Sequence, residues 1–217
     1  MWVKICGTTS EEDALLAVAM GADAVGFVFA PSPRQIAPQI AGDIAKRLPL
    51  EIDTVGVFRD EAPERVVTIC QRAGLRVAQL HGNESPATTQ WVAARMRMVI
   101  KAFPAGAAAV ARAKDYGAFA TLLDAPNPGS GEVFDWEFAA EVPTGLRLIL
   151  AGGLNAGNVA SAIGRTKPWG VDVVSGVESS PGHKDPVKLR EFVAAARAAS
   201  VDTPEDPSDG PYDWQDG

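Results

Sequence analysis

The chain has 217 residues, 47% of them apolar, enough to bury one large core, and no linker rich in Pro, Ser and Gly divides it before residue 200. Six of the acids behind its net charge of −7 (Asp202, Glu205, Asp206, Asp209, Asp213 and Asp216) crowd into residues 201–217, where no base answers them, so residues 1–200 carry only −1. A nearly neutral body without a Lys/Arg cluster argues against nucleic acid as a partner, and no apolar run reaches the ~18 to 20 residues of a membrane helix.

Strand-like runs alternate with helical patterns along the chain. The runs cover residues 2–6, 24–29, 53–58, 77–80, 99–102, 121–123, 147–151 and 170–174. Between them stand helix-start signals: Ser10 three residues before Asp13, prolines 38, 63, 86 and 186 at first-turn positions, and Asn155 before Ala156. Eight βα units in about 200 residues leave about 25 per unit, the short end for a (β/α)8 TIM barrel, so few decorations are expected. The rival, an open doubly wound sheet, usually carries a glycine fingerprint after its first strand, where this chain reads CGTTS. The expected organisation is a single-domain (β/α)8 barrel over 1–200 and a disordered acidic tail over 201–217. With strand-like residues from position 2 and no signal or transit pattern, the expected location is the cytoplasm. Cys6 and Cys70 match neither a disulfide framework nor a metal-ligand spacing and read as free thiols.

In such a barrel the residues ending each strand line one mouth, where the chemistry is placed. Here that ring reads Cys6, Phe29 with Arg34, Arg59, His81, Lys101, Asp124, Gly152 with Gly153, and Asp172 with Ser175. The stretch 146–182 holds two consecutive units whose strands end at Gly152, Gly153 and Gly176. Glycines there let backbone N–H groups converge on an anion, and the shared phosphate site of these barrels lies after strands seven and eight. A phosphorylated small molecule is therefore the expected partner. Period-two alternation turns Lys4 inward with Cys6, and Asp172 inward with Val174. Lys4 and Asp172 read equally as a structural ion pair and as parts of the site, since a buried charge needs a partner.

Asp124 ends an apolar run and precedes Ala125 and Pro126. A carboxyl in apolar surroundings can be kept protonated and act as a general acid. Cys6 ends the first strand before a helix, where a thiol can be ionised as base or nucleophile, although taken alone it reads as readily as a small core residue. Arg34, in PSPR, has a loop stiffened by two prolines and a fork suited to a carboxylate; its bland reading is a surface arginine. His81 reads more readily as a satisfied strand-end histidine than as a catalyst, and with His183 the only other one, no zinc site can be built. The small residues of 127–134 suit an active-site loop or a plain connection equally.

Taken together, KICG, GFVFAPSPRQ, QLHG, LLDAPNPGSG, FDW, ILAGGLN and SGVESSPG resemble the phosphoribosylanthranilate isomerase family of tryptophan biosynthesis, in order from Lys4 to about Asp185. The resemblance implies an Amadori rearrangement of N-(5′-phosphoribosyl)anthranilate to 1-(o-carboxyphenylamino)-1-deoxyribulose 5-phosphate, an internal oxidation and reduction that needs neither metal nor organic cofactor. It implies Cys6 as general base and Asp124 as general acid. It places Arg34 near the anthranilate carboxylate and makes Gly152, Gly153, Ser175 and Gly176 the phosphate cradle; Lys4, His81 and Asp172, on the same mouth, are the other residues expected to bind substrate. Two positions depart from the family pattern: Asn83 replaces an acid and Val174 a serine, the latter narrowing the mouth. The alternatives are a flavin-binding or other phosphate-ligand barrel without this activity, and a histidine-pathway sugar isomerase, which would carry an aspartate in place of Cys6. Monomer and homodimer both remain open.

Overall fold

Short runs of Val, Ile and Leu without hydrophilic alternation are buried on both faces, which a parallel sheet covered by helices provides. The computed structural model describes residues 1–125 and 135–200; the loop 127–134 and the acidic tail 201–217 singled out above lie outside the described residues. All eight runs become strands: β1 Trp2–Ile5, β2 Ala24–Val28, β3 Asp53–Phe58, β4 Val77–Leu80, β5 Met98–Pro104, β6 Ala120–Asp124, β7 Leu148–Leu150 and β8 Gly170–Val173. They pair in parallel in chain order and close into a barrel where β1 meets β8, with Lys4 opposite Asp172. Alternation divides the core into two layers. Val3 and Ile5 face the helices, while Trp2 and Cys6 point inward with Val55, Val57, Ile100 and Leu122. Trp2 stacks on Trp169 at 5.2 Å, closing the end of the barrel away from the strand C-termini.

The helices start largely where the signals place them. In α1, Glu11–Ala19, the Ser10 hydroxyl accepts the N–H of Asp13 at 3.2 Å. Proline opens α2 Pro38–Ala45, α3 Pro63–Ala73, α4 Pro86–Ala93 and α6 Pro186–Ser200, where its missing N–H costs nothing. Helix α5, Val159–Thr166, begins later than Asn155 suggests. The Asn155 side chain caps a turn by accepting the N–H of Gly157 at 2.9 Å, and Asn158 becomes the residue before the helix.

One further expectation is corrected. The βα alternation is not strict, because 3-10 turns, Val110–Tyr116 and Trp136–Glu141, replace α-helices after β5 and β6. In the first, Arg112 breaks the helical path; the second stops at Val142, held extended by the proline after it. The barrel also carries a decoration at its mouth, a hairpin of β9 Glu178–Ser180 and β10 His183–Lys184. No helix among the described residues is long and apolar enough to cross a membrane.

Candidate active site

The strand ends bring Cys6, Arg34, Gln79, His81, Asp124, Gly152, Gly153, Asp172, Val174 and Ser175 around one cavity at the C-terminal mouth of the barrel. Asn83 is not among its lining residues, whereas Val174 is.

Behind the cavity wall lies Lys4, fully buried, its Nζ donating to Asp172 Oδ2 at 2.8 Å. The ion-pair reading of these two residues is therefore met. Lys4 is not among the residues lining the cavity, whereas its partner Asp172 is. Burial pulls its ammonium down, but Asp172 and Cys6 outweigh that and raise its pKa above the ordinary value. For Cys6 the balance is reversed: burial pushes the thiol up over the opposing pull of Lys4. The expected ionisation of the thiol thus leans on Lys4, since a buried sulfur must lose hydration to carry charge. Asp172 Oδ1, also buried, has no hydrogen-bond partner among the described residues.

Room for this cluster comes from β2. A Cβ on Gly26 would lie 2.6 Å from Cys6 Sγ and 3.0 Å from Lys4 Cε, so the strand carries glycine where β-branched residues would otherwise be favoured.

Asp124 does not stand in apolar surroundings. Its Oδ1 accepts the Ala125 N–H at 2.8 Å, and its Oδ2 lies 3.1 Å from His81 Nε2. Nδ1 of His81 lies 2.9 Å from Gln79 Nε2. Both ring nitrogens are thus engaged by protein groups, and His81 lines the cavity. Lys101 turns away altogether: its Nζ binds Glu84 Oε2 at 2.8 Å and the carbonyls flanking His81, those of Leu80 and Gly82.

Arg34 is neither a loose surface arginine nor set by its prolines alone. Its Nε and Nη2 grip the Glu178 carboxylate at 2.7 to 3.1 Å, while Nη1 makes no hydrogen bond among the described residues. Glu178 also accepts Lys184 Nζ at 3.1 Å, and that ammonium reaches the carbonyl of Cys6 at 2.6 Å. Burial works against the Glu178 charge, but Arg34 and Lys184 outweigh it and hold the carboxyl below its usual range. The hairpin thereby fixes both the guanidinium and the backbone of Cys6.

At the far side, Gly152 and Gly153 have φ of 82° and 64°, the left-handed region that glycine enters freely, and their N–H groups meet no acceptor among the described residues. Ser175 and Gly176 open the 3-10 turn Ser175–Val177, whose first N–H groups lack intrahelical acceptors. Gly176 itself does not line the cavity. A Cβ there would lie 1.9 Å from the Leu154 carbonyl oxygen, so glycine is demanded by the approach of the β7 loop.

The family model for N-(5′-phosphoribosyl)anthranilate isomerase matches residues 3–195. The chain belongs to this family. The Desulforudis audaxviator isomerase is 48% identical over 204 residues, covering 91% of this chain and 98% of that protein. The solved phosphoribosyl anthranilate isomerase of Thermus thermophilus superposes with a TM-score of 0.86 at 45% identity, covering 91% of this chain and 99% of the other. A second solved isomerase, in complex with reduced 1-(o-carboxyphenylamino)-1-deoxyribulose 5-phosphate, has a TM-score of 0.80 at 40% identity over the same shares. None of these phosphoribosylanthranilate isomerase relatives favours the flavin-barrel reading. Around the family's cavity, sequence reasoning missed Gly26, Gln79, Glu178 and Lys184. Gly26 carried a signal, a glycine inside the strand AVGFV, and Glu178 stood in a quoted motif without a role; nothing in the spacing marked Lys184 as the partner of Cys6.

Proposed function

We propose that Cys6 and Asp124 carry out the Amadori rearrangement of N-(5′-phosphoribosyl)anthranilate to 1-(o-carboxyphenylamino)-1-deoxyribulose 5-phosphate in this chain. The chain is an isomerase of tryptophan biosynthesis, and what needs assignment is the task of each residue. The observation that carries the reading is the meeting of the Cys6 thiol and the Asp124 carboxyl in a cavity also lined by Asp172 and Arg34 and by Gly152 and Gly153, whose N–H groups meet no acceptor among the described residues.

Asp124 gives its proton to the furanose oxygen, the C1′–O bond breaks, and the nitrogen lone pair forms the Schiff base. The Cys6 thiolate then removes the C2′ proton, and the C–H electron pair flows toward the iminium nitrogen to leave an enolamine. Its tautomerisation to the ketone completes an isomerisation with no net change in atoms or electrons. Gly152, Gly153, Ser175 and Gly176 supply N–H groups to the phosphate. The unengaged Nη1 of Arg34 takes the anthranilate carboxylate, and Asp172 Oδ1 accepts a sugar hydroxyl. Held at both ends, the substrate spends remote binding energy on placing C2′ between base and acid. Lys4 opposes the burial that disfavours the thiolate.

The test is loss of substrate fluorescence in Cys6→Ala and Asp124→Asn. Each change lowers kcat by at least the ~10² to 10⁴ of one positioned acid or base, with binding retained. A folded variant keeping more than about a tenth of wild-type kcat removes that residue from its role. One relative, the Thermotoga maritima isomerase, is described as dimeric; sedimentation of this chain distinguishes a homodimer from a monomer.

A further inference from the structure

Gln79 lies on β4, 1% exposed, with its side chain turned into the barrel. Its one side-chain hydrogen bond among the described residues joins Nε2 to His81 Nδ1 at 2.9 Å, while Oε1 is buried without a partner there. An amide nitrogen only donates. With the amide in this orientation Nδ1 accepts, which leaves the proton of the neutral ring on Nε2, 3.1 Å from Asp124 Oδ2. With the Ala125 N–H on Oδ1 at 2.8 Å, each carboxyl oxygen of Asp124 faces an N–H donor.

We propose that Gln79 is a positioning residue that fixes His81 as the Nε2–H tautomer, so that the ring stabilises the Asp124 carboxylate as it forms. The inference rests on Asp124 as the general acid. When Asp124 delivers its proton to the furanose oxygen, the O–H bond breaks and its electron pair remains on the carboxyl group, which becomes an anion. His81 neither gains nor loses a proton. Its N–H is already aimed at the oxygen where charge develops, and a donor placed in advance strengthens as that charge grows. In the opposite tautomer Nε2 would be an acceptor. It would draw the Asp124 proton away from the substrate and then present a lone pair to the new carboxylate. The amide of Gln79 decides between these outcomes without touching the reacting atoms.

The experiment is nitrogen-15 NMR of the full chain labelled at histidine. With only two histidines, His81 and His183, the signals are assigned through His183→Gln. At about pH 8, where an ordinary imidazole is neutral, His81 is expected to show an unprotonated Nδ1 and a protonated Nε2. Gln79→Glu, whose carboxylate only accepts, moves the proton to Nδ1. It lowers kcat about tenfold, the size of one hydrogen bond to a charged group, with KM within about twofold. Gln79→Met, which offers no donor, loses a similar factor. A proton on Nδ1 in the wild type, as the other tautomer or as imidazolium, overturns the proposal even if neither variant folds. So does a folded Gln79→Glu with its proton on Nδ1 and wild-type kcat. If Asp124→Asn remains active, it is the acid assignment that fails. If that variant is dead while both Gln79 variants turn over normally, only the role of Gln79 fails.

Discussion

Gly26→Ala puts one methyl group where the wall of the cavity has no space for it. The new Cβ would stand 2.6 Å from Cys6 Sγ, 3.0 Å from Lys4 Cε and 3.2 Å from the Cys6 Cα. Non-bonded heavy atoms settle at about 3.5 to 4.0 Å, so the sulfur must retreat by roughly 1 Å or β1 must shift. Overpacking of this kind costs about 1 to 3 kcal/mol, which for a chain of this size lowers Tm by roughly 2 to 12 °C. The larger effect falls on turnover, because a misplacement of about 1 Å in a reacting group costs on the order of 10² in rate. Thermal unfolding and the substrate-fluorescence assay measure the two terms on the same protein, with the loss expected in kcat rather than KM. A variant that melts with the wild type and keeps kcat within about twofold would refute both the packing argument and the placement of the thiol.

Lys4→Met removes the cation that opposes burial at Cys6, so the thiol rises further. Because a thiol ordinarily releases its proton at higher pH than a carboxyl, the thiolate paired with a protonated acid is a minor form. The alkaline limb of the kcat/KM profile should therefore move to higher pH while its plateau falls, and an unmoved limb would detach Lys4 from the thiol. The same change strands Asp172 and destabilises the fold by about 3 to 5 kcal/mol. Glu178→Gln loosens the grip on Arg34; KM should rise about tenfold with kcat nearly kept, on the scale of one charge-assisted hydrogen bond, and an unchanged KM would mean that Arg34 holds no substrate. Gly176→Ala forces a Cβ against the Leu154 carbonyl and should lower Tm, whereas Gly164→Ala, with open space around it inside α5, should raise stability by about 0.5 to 1 kcal/mol. Equal melting of the two variants would contradict this reading.

The barrel was legible because its signals are local. Each strand is a run of apolar residues, and each proline helix start is a covalent restriction on φ written at one position. Boundaries moved where tertiary pairing extended a run, as in β5, which continues to Pro104 against Asp124 of β6. The turn Val110–Tyr116 was hidden because its alanines favour a helix, while the turn Trp136–Glu141 stops before a proline, at Pro143, that gave no warning of it. In the site, Cys6 and Asp124 could be placed from strand ends alone. The hold of Glu178 on Arg34 spans 144 positions and that of Lys184 on Cys6 spans 178, and no periodicity records such distances. The burial that pushes the Cys6 thiol up was hidden for a related reason: a helix downstream is visible in the sequence, whereas enclosure on every side but the cavity is a property of the closed barrel.

Lys4 and Asp172 are 168 residues apart, which sets an order of events during synthesis. At about 5 to 20 residues per second, a ribosome needs on the order of ten to thirty seconds between making the lysine and making its partner. Throughout that interval the growing chain holds an ammonium whose destination is dry and whose counter-ion does not yet exist, so β1 gains nothing by leaving water early. The last parallel strand is thus both the closing stave of the barrel and the permission for the first one to be buried. A chain halted before β8 would keep Lys4 hydrated and Cys6 open to solvent, an exposed thiol that reagents and cellular quality control can recognise. In the finished protein the same sulfur is hidden on all sides but one.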